Sequence, residues 1–352
     1  MRRATATALA AALLAALVGC SRPSSEQGKV LNVYMWSEYI DPQIPEDFES
    51  QTGIKVRVDV YESTEDMMAK LQHGGAGQYD MVVVSDHAVP VLAKLGLLEP
   101  LDMGRIPNAA NVDPRFKSPG YDPDNKYSLP YQWGTVGLMY RKDRIPEFDP
   151  SWAVLFAPDK QAGPFVLIDS MRDMLGVALK YLGHSANSVS LEEIRRAGEL
   201  VLAAKKSPQA VGFEGGVGGK NKVLSKAAAL AIVYNGDALR AIEEDDQIAF
   251  VVPKEGSIVW VDAMVVTKGA ANPGAAHQFI NFILDPGIGG QLSNFNQYAT
   301  PNLAAMPFID EAARNDPAVY PPAEVFSKLE YLEDVGDATK LYDEIWTGVK
   351  SQ

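Results

Sequence analysis

Residues 257–266, Ser-Ile-Val-Trp-Val-Asp-Ala-Met-Val-Val, constrain the fold of this chain more than any other stretch. Apolar side chains on both alternating faces are typical of a strand that is covered on both sides. Asp262 interrupts the pattern, and an ionised carboxylate costs free energy there unless a cation or hydrogen-bond donors meet it. Because strand side chains alternate, Trp260 and Asp262 are expected to point to the same side.

Two interpretations of Asp262 follow from this stretch. An organic cation could lie against the carboxylate and on the face of Trp260, since an aromatic ring attracts an ammonium group. Alternatively, main-chain N–H groups of a nearby loop could hold Asp262, which would then only shape the fold. The stretch alone favours neither interpretation.

Length and charge narrow the class of protein. A chain of 352 residues with 47% hydrophobic residues suits two folded lobes. Its formal net charge is −13, and no stretch forms a basic patch. We therefore exclude nucleic acid as a partner, whereas cationic solutes would be attracted.

The N-terminus predicts export. Arg2 and Arg3 precede an apolar run over residues 8–18 that is too short for a membrane span, so residues 1–20 are predicted to be a signal peptide. The run ends in Leu-Val-Gly-Cys, which resembles a bacterial lipobox. Cys20 is the only cysteine, which excludes disulfides and favours lipidation of Cys20 as its use. Residues 21–28 would then be a tether, and the protein would be membrane-anchored in the periplasm or at the cell surface. The alternative is an ordinary signal peptide.

The chain from residue 30 alternates strands and helices, which predicts an α/β fold with largely parallel strands. Strands are predicted over residues 30–34, 54–60 and 79–84. The first and third run into polar and aromatic groups, where open α/β sheets bind ligands. These groups are Trp36, Ser37, Glu38, Tyr39, Ser85 and His87.

A second set of strands and helices follows. A strand over 165–169 precedes a helix that Ser170 could cap, with Asp173 in its first turn, and Ser190 with Glu193 could form a capping box. Another strand ends at Tyr234, just before Asp237. The stretches 127–140 and 258–267 are expected to cross between lobes. The predicted lobes are residues 29–134 plus 261–305 and residues 135–260 plus 306–352, with a cleft at the strand ends.

Motifs for catalysis or metal binding are weak. The four histidines, at 73, 87, 184 and 277, are scattered, and no pair has metal-ligand spacing. The glycine-rich residues 215–220 lack the first glycine and the Ser or Thr of a phosphate-binding loop, and we expect a flexible surface turn there. We predict no catalytic residue, metal or cofactor.

An aromatic residue beside an acid or hydroxyl recurs at the predicted strand ends. It occurs around Trp36, at Tyr234 near Asp237 and at Trp260 with Asp262, while Tyr298 stands alone. Several such groups converging on one cleft would suit a linear amine, with rings against its methylenes and acids against its ammonium groups. One cation–π contact contributes roughly 0.5 to 2 kcal/mol.

Several motifs resemble the spermidine/putrescine substrate-binding proteins of bacterial ABC importers. They are YMWSEY at 34–39, GQYDMVVVS at 77–85, SLPYQWG at 128–134, YNGD at 234–237, PKEGSIVWVD at 253–262 and YATPNLA at 298–304. The likeness covers nearly the whole mature chain in order. It implies a type II periplasmic-binding-protein fold, in which two lobes joined by a hinge close around a polyamine. It also implies a monomer that performs no chemistry and delivers its ligand to a membrane permease.

The resemblance also implies roles for individual residues. Trp36 and Tyr39 would form one wall, Ser37 and Ser85 would hydrogen-bond, and Tyr234 and Trp260 would sandwich the ligand. Tyr298 would complete the aromatic box, and Asp262 and Asp237 would each meet an ammonium group. The full set of expected ligand-binding residues is Trp36, Ser37, Glu38, Tyr39, Ser85, His87, Asp173, Tyr234, Asp237, Trp260, Asp262 and Tyr298.

Some positions depart from the family pattern. Asp173 stands where Glu is common, Tyr234 where Trp is usual, Ser170 where some members have an acid, His87 where some have Tyr, and Leu332 where some have Gln. Fewer acids indicate a shorter or less charged ligand than spermidine, and His87 could add pH dependence near neutrality. The alternatives are a receptor for another cationic solute, such as an opine or a modified amino acid, and a secreted enzyme.

Overall fold

The computed structural model describes residues 30–352. The predicted signal peptide, Cys20 and the tether lie outside the described residues. Within residues 30–352, no helix has both the length and the apolar character needed to cross a membrane.

In this part of the chain, eleven strands form one mixed sheet. The strands are β1 (Val30–Trp36), β2 (Lys55–Tyr61), β3 (Met81–Ser85), β4 (Leu98–Glu99), β5 (Ser128–Arg141), β6 (Phe165–Ile168), β7 (Ala210–Glu214), β8 (Leu230–Tyr234), β9 (Ile248–Val251), β10 (Ile258–Thr267) and β11 (Glu330–Tyr331). The helices are α1 (Gln43–Thr52), α2 (Thr64–Lys70), α3 (Ala88–Lys94), α4 (Ala153–Phe156), α5 (Met171–Tyr181), α6 (Leu191–Lys205), α7 (Gly218–Leu224), α8 (Asn235–Glu244), α9 (Pro273–Ile283), α10 (Pro286–Asn296), α11 (Glu311–Arg314), α12 (Ala323–Phe326) and α13 (Thr339–Ser351).

The first half of the sheet has the strand order β2-β1-β3-β10. Strand β1 pairs in parallel with both β2 and β3. The connections through α1 and α2 return the chain to the end of the sheet where the previous strand began, so the next strand runs in the same direction. Helix α1 ends where Gly53 adopts a left-handed conformation with φ of 70°, as its glycine predicts.

Strand β10 is the centre of the sheet, and every one of its residues is buried. It pairs antiparallel with β3 on one side, where Asp262 lies opposite Ser85, and with β5 on the other. The expectation of a strand covered on both faces is therefore confirmed. A register shift in the pairing with β5 falls between Asp262 and Ala263, beside the one charged residue of the strand.

Strand β5 connects the two halves of the sheet. Residues 128–135 pair with β10, whereas residues 136–141 pair with β8 and β9. Beyond β8, strands β6 and β7 continue the second half in parallel. The predicted α/β fold with two lobes is confirmed. Most buried apolar residues of β5 and β10 lie in the largest core cluster, whereas Ala263 and Val265 of β10 belong to a second cluster.

Two local predictions are wrong. Ser170 precedes α5, but its side chain accepts no capping hydrogen bond, and its hydroxyl instead donates to the carboxylate of Asp173 at 2.8 Å. The glycine-rich stretch is not a flexible surface turn, since α7 begins at Gly218 and Lys220 is only 5% exposed. Ser190, in contrast, does accept from the main-chain N–H of Glu193.

Candidate functional site

A narrow cavity opens between the two halves of the sheet, at the ends of β1, β3 and β8. All twelve residues expected to bind a ligand line this cavity, together with Gly216 and Leu332. The space open to the centre of a water molecule is about 50 Å³, enough for a short file of waters. The structure thus brings together side chains that lie up to 262 residues apart in the sequence, from Trp36 to Tyr298.

The Asp262 carboxylate faces this cavity and is 5% exposed. Within residues 30–352, it accepts no main-chain hydrogen bond and forms no ion pair with a lysine or arginine. The neighbouring Asp86 differs, because it accepts from the main-chain N–H of His87 at 2.7 Å and of Val261 at 3.3 Å. The interpretation of a structural carboxylate held by main-chain amides therefore fits Asp86 and not Asp262.

Burial raises the pKa of Asp262 to about 7. The hydroxyls of Tyr39 and Ser85 and the ring of His87 oppose this rise, whereas the charge of Asp86 adds to it. Neither hydroxyl reaches full hydrogen-bond geometry, and the Tyr39 hydroxyl is buried without a partner in the described part of the chain. The protein's own groups thus compensate this carboxylate poorly, and a cation would stabilise its ionised form.

Aromatic rings form a continuous wall around this carboxylate. Tyr234 and Trp260 meet edge to face at 5.7 Å, and Trp260 meets Tyr298 in the same way at 5.1 Å. Tyr298 packs on Tyr39 at 5.5 Å, and Trp36 approaches Tyr234 at 6.5 Å across the cavity. Such rings offer faces to a cation and apolar surface to methylene groups.

Glycines allow this close packing. A Cβ at Gly236 would lie 2.5 Å from the main-chain oxygen of Asn296 and 2.6 Å from the Tyr298 ring. A Cβ at Gly134 would lie 2.6 Å from the ring of Trp260. Both distances are shorter than real carbon contacts, so these positions require glycine for the rings to sit where they do.

Asp173 is a second buried acid in the cavity. It lies in the first turn of α5, where its Oδ2 accepts from the hydroxyls of Tyr234 and Ser170, both at 2.8 Å. Burial raises its pKa, and these two hydrogen bonds oppose the rise only in part. Asp173 therefore resembles Asp262 in being buried beside hydroxyl groups rather than beside a paired cation.

Glu38 and Asp237 line the same cavity but already have cationic partners. Lys220 Nζ lies 2.7 Å from Glu38, and Arg240 lies 3.3 Å from Glu38 and 2.5 Å from Asp237. Burial opposes ionisation of Glu38, but Lys220 and Arg240 outweigh it and lower its pKa. Burial raises the pKa of Asp237, and the guanidinium of Arg240 opposes that rise.

Four residues of this region were not predicted as part of the site: Gly216, Leu332, Lys220 and Arg240. Asp237 and Arg240 are three residues apart on α8, a spacing that brings side chains together on a helix and could have indicated the pair. Lys220 and Glu38 are 182 residues apart, and no local pattern signals their contact. Gly216 has φ of 47° and abuts Glu62, whose carboxylate accepts from Ser37.

Groups of three or more His, Cys, Asp or Glu side chains suited to a metal ion do not occur over residues 30–352. The cavity combines two partly compensated acids, hydroxyl groups and a wall of five rings, a set of groups that would suit a cation.

Comparison with known proteins agrees with this chemistry. Residues 43–321 match the family described as bacterial extracellular solute-binding protein. The spermidine/putrescine-binding periplasmic protein of Salmonella typhimurium is 35% identical, over 97% of both chains. The chain therefore belongs to the family of bacterial extracellular solute-binding proteins that includes the spermidine/putrescine-binding periplasmic proteins.

Solved structures show the same architecture. A structure assigned to a spermidine/putrescine ABC transporter of Listeria monocytogenes superposes with a TM-score of 0.85 at 34% identity, covering 92% of this chain and 99% of that one. A lipoprotein of Treponema pallidum superposes with a TM-score of 0.81 at 29% identity, covering 92% of this chain and all of the other, 100%. The expected periplasmic-binding-protein fold is confirmed.

Proposed function

We propose that this protein is an extracytoplasmic receptor that binds a polyamine in the cavity and delivers it to an ABC permease, without chemistry of its own. The observation that carries the proposal is the buried Asp262 carboxylate, which lacks a paired cation in the described region and faces aromatic rings. Names of relatives support the ligand class, since the Salmonella protein is named for spermidine and putrescine.

A bound alkylammonium would replace the missing counter-charge of Asp262. A charge pair at about 4 Å contributes on the order of 4 kcal/mol gross at intermediate dielectric, before the cost of desolvation is subtracted. Methylene groups would lie against Trp260, Tyr234 and Trp36, and ammonium groups would meet Asp262 and Asp173. His87, Ser85, Ser37, Tyr39 and Tyr298 would complete the shell.

The lobes predicted from the sequence are part of this proposal. Residues 29–134 with 261–305 would move against residues 135–260 with 306–352, and the hinge would lie in β5, which pairs with both halves of the sheet, and in β10 beside it. A ligand that touches Trp36 on one lobe and Tyr234 on the other would favour the closed state.

The lipid anchor at Cys20 and a monomeric state also belong to the proposal. Support for the anchor comes from the lipobox-like sequence and from the Treponema relative, which is a lipoprotein. The test is mass spectrometry of the membrane fraction, in which Cys20 should carry diacylglycerol. A processed protein whose N-terminal residue carries no lipid would reject the anchor.

Calorimetry of the purified mature protein tests the ligand class. The ligands are putrescine, cadaverine, spermidine, spermine, arginine and glutarate as an anionic control. We expect saturable one-to-one binding of at least one polyamine and no binding of glutarate. Binding of arginine alone would indicate a receptor for another cationic solute, and binding of no amine would reject the proposal.

A further inference from the structure

The cavity is electrostatically divided. At one end, Glu38 and Asp237 face Lys220 and Arg240, so two acids meet two cations and the charges cancel. At the other end lie Asp262 and Asp173. In the described part of the chain, neither of these two is within ion-pair distance of a lysine or arginine.

The two cations are fixed parts of the fold. The side chain of Lys220 is 7% exposed and that of Arg240 is 13% exposed. Arg240 also donates to the main-chain oxygen of Glu38 at 3.2 Å, so it holds both the side chain and the backbone of this residue. Buried cations that are paired in this way do not leave their acids at low cost.

The ion pairs of these two cations with Glu38 join the two sides of the cleft. Glu38 follows β1 in the first half of the sheet, whereas Lys220 and Arg240 belong to α7 and α8 in the second half. A ligand ammonium group between the two halves would pair with Glu38 and Asp237 just as Lys220 and Arg240 do. The chain's own side chains therefore take the place that a further ammonium group would need.

Arg172 and His87 do not form an ion pair with Asp262 or Asp173. Arg172 precedes Asp173, but its guanidinium donates to the main-chain oxygen of Glu333 and to Asn187, each at 2.9 Å. His87 lines the cavity near both acids, and its ring lies 3.4 Å from Asp86. Two carboxylates thus remain for the ligand.

We propose that Lys220 and Arg240 are built-in counter-cations that restrict the receptor to short diamines and exclude triamines. This inference rests on the proposed function, because it assumes that a polyamine binds in this cavity. A diamine can place one ammonium at each of Asp262 and Asp173. A triamine brings a third charge for which Glu38 and Asp237 are no longer available.

The test compares the dissociation constants of putrescine and spermidine for the mature protein and for three variants. Lys220→Gln and Arg240→Gln each remove one counter-cation. Lys222→Gln is the matched control, because it removes the same charge from the same helix at a side chain that is 40% exposed and pairs with Glu214. Thermal unfolding verifies that each variant is folded.

We expect the wild type to bind putrescine more tightly than spermidine. Arg240→Gln should raise the affinity for spermidine relative to putrescine about tenfold, the scale of one charge pair. Lys220→Gln should change the ratio in the same direction but less, because Glu38 is 45% exposed and keeps Arg240. Lys222→Gln should leave the ratio unchanged.

The outcomes separate the two proposals. If the wild type binds neither amine, the proposed function itself fails. If it binds amines but prefers spermidine, or if the ratio is the same in folded Lys220→Gln and Lys222→Gln, the role of the counter-cations is wrong. Should Arg240→Gln fail to fold because Asp237 loses its partner, Lys220→Gln alone decides.

Discussion

The Asp262 carboxylate destabilises the folded protein when no cation is bound beside it. Its carboxylate lies in a strand that is buried throughout, and Asp86 beside it adds a like charge. An uncharged side chain at this position would stabilise the fold more than a carboxylate does. The acid therefore indicates a functional role rather than a structural one.

The first prediction concerns stability. Burial holds the pKa of Asp262 near 7 in the folded protein, above the value of about 3.9 for an unfolded chain. Between these values the folded state binds a proton that the unfolded state does not, so the free energy of unfolding falls as pH rises from about 4 to 7. Above pH 7, the ionised Asp262 carboxylate lowers the free energy of unfolding by up to about 4 kcal/mol.

Asp262→Asn should therefore stabilise the ligand-free protein at pH 8 by about 1 to 3 kcal/mol, and the gain should shrink towards pH 4. Urea unfolding of both proteins at several pH values measures this difference. A variant less stable than the wild type at pH 8 would show that the carboxylate is compensated in the fold.

The second prediction concerns the pH dependence of binding. An ammonium group needs the ionised carboxylate, so below pH 7 a proton competes with the ligand for Asp262. The affinity for putrescine should be nearly constant above pH 7 and should fall up to about tenfold per pH unit below it. Calorimetry from pH 5 to 8 provides the profile, and an affinity that does not change over this range would contradict the role of Asp262.

At the scale of elements, helix α8 positions Asp237 and closes against the loop that carries Tyr298. The contact is possible because Gly236, in its first turn, has no side chain. The N-terminus of this helix therefore fixes one wall of the aromatic box.

The third prediction compares two glycine substitutions in helices. Gly236→Ala should destabilise the protein by about 1 to 3 kcal/mol and weaken ligand binding, because its Cβ would push α8 away from Tyr298. Gly348→Ala in α13 has open space around the new Cβ and should stabilise by about 0.5 to 1 kcal/mol, with binding unchanged. Equal effects of the two substitutions on binding would show that α8 does not position the box.

Elements with strong local patterns could be predicted from the sequence. Strand β10 was placed at residues 258–267, where the structure has it, because its apolar run is covered on both faces. Helix α7 was missed, because four glycines in and beside it suggested a turn and its stability comes from burial against β8. The prediction that Ser170 caps α5 was wrong, because its hydroxyl is oriented towards the carboxylate of Asp173, to which it donates, and no main-chain N–H reaches it.

The cavity could be predicted residue by residue, but its charge balance could not. The order of strands and helices predicts that the groups at the ends of β1, β3 and β8 converge. The full set of twelve residues, including Tyr298, rests on the resemblance to the spermidine/putrescine-binding proteins. The pairing of Glu38 with Lys220 depends on how α7 packs across the cavity, and no sequence pattern encodes that distance.

At the scale of the whole molecule, a ligand bound in the cavity as proposed would contact both halves of the sheet. It should therefore stabilise the closed arrangement of the lobes and the folded state together. The fourth prediction is that putrescine at 100 times its dissociation constant raises the free energy of unfolding by about 2.7 kcal/mol.

Small-angle scattering of the same samples should show a smaller radius of gyration with putrescine than with glutarate. Stabilisation without any change in the radius would mean that the lobes are already closed in the absence of ligand. Neither effect with any amine would argue against binding between the lobes.

The most direct test of the central claim is the affinity of putrescine for Asp262→Asn at pH 8, measured by calorimetry beside the wild type. Asp159→Asn is the matched control, because it is the same substitution at an exposed residue. We predict a loss of about 100-fold or more for Asp262→Asn, since the ammonium would be buried without its counter-charge, and no loss for Asp159→Asn. Wild-type affinity in a folded Asp262→Asn protein would contradict the account.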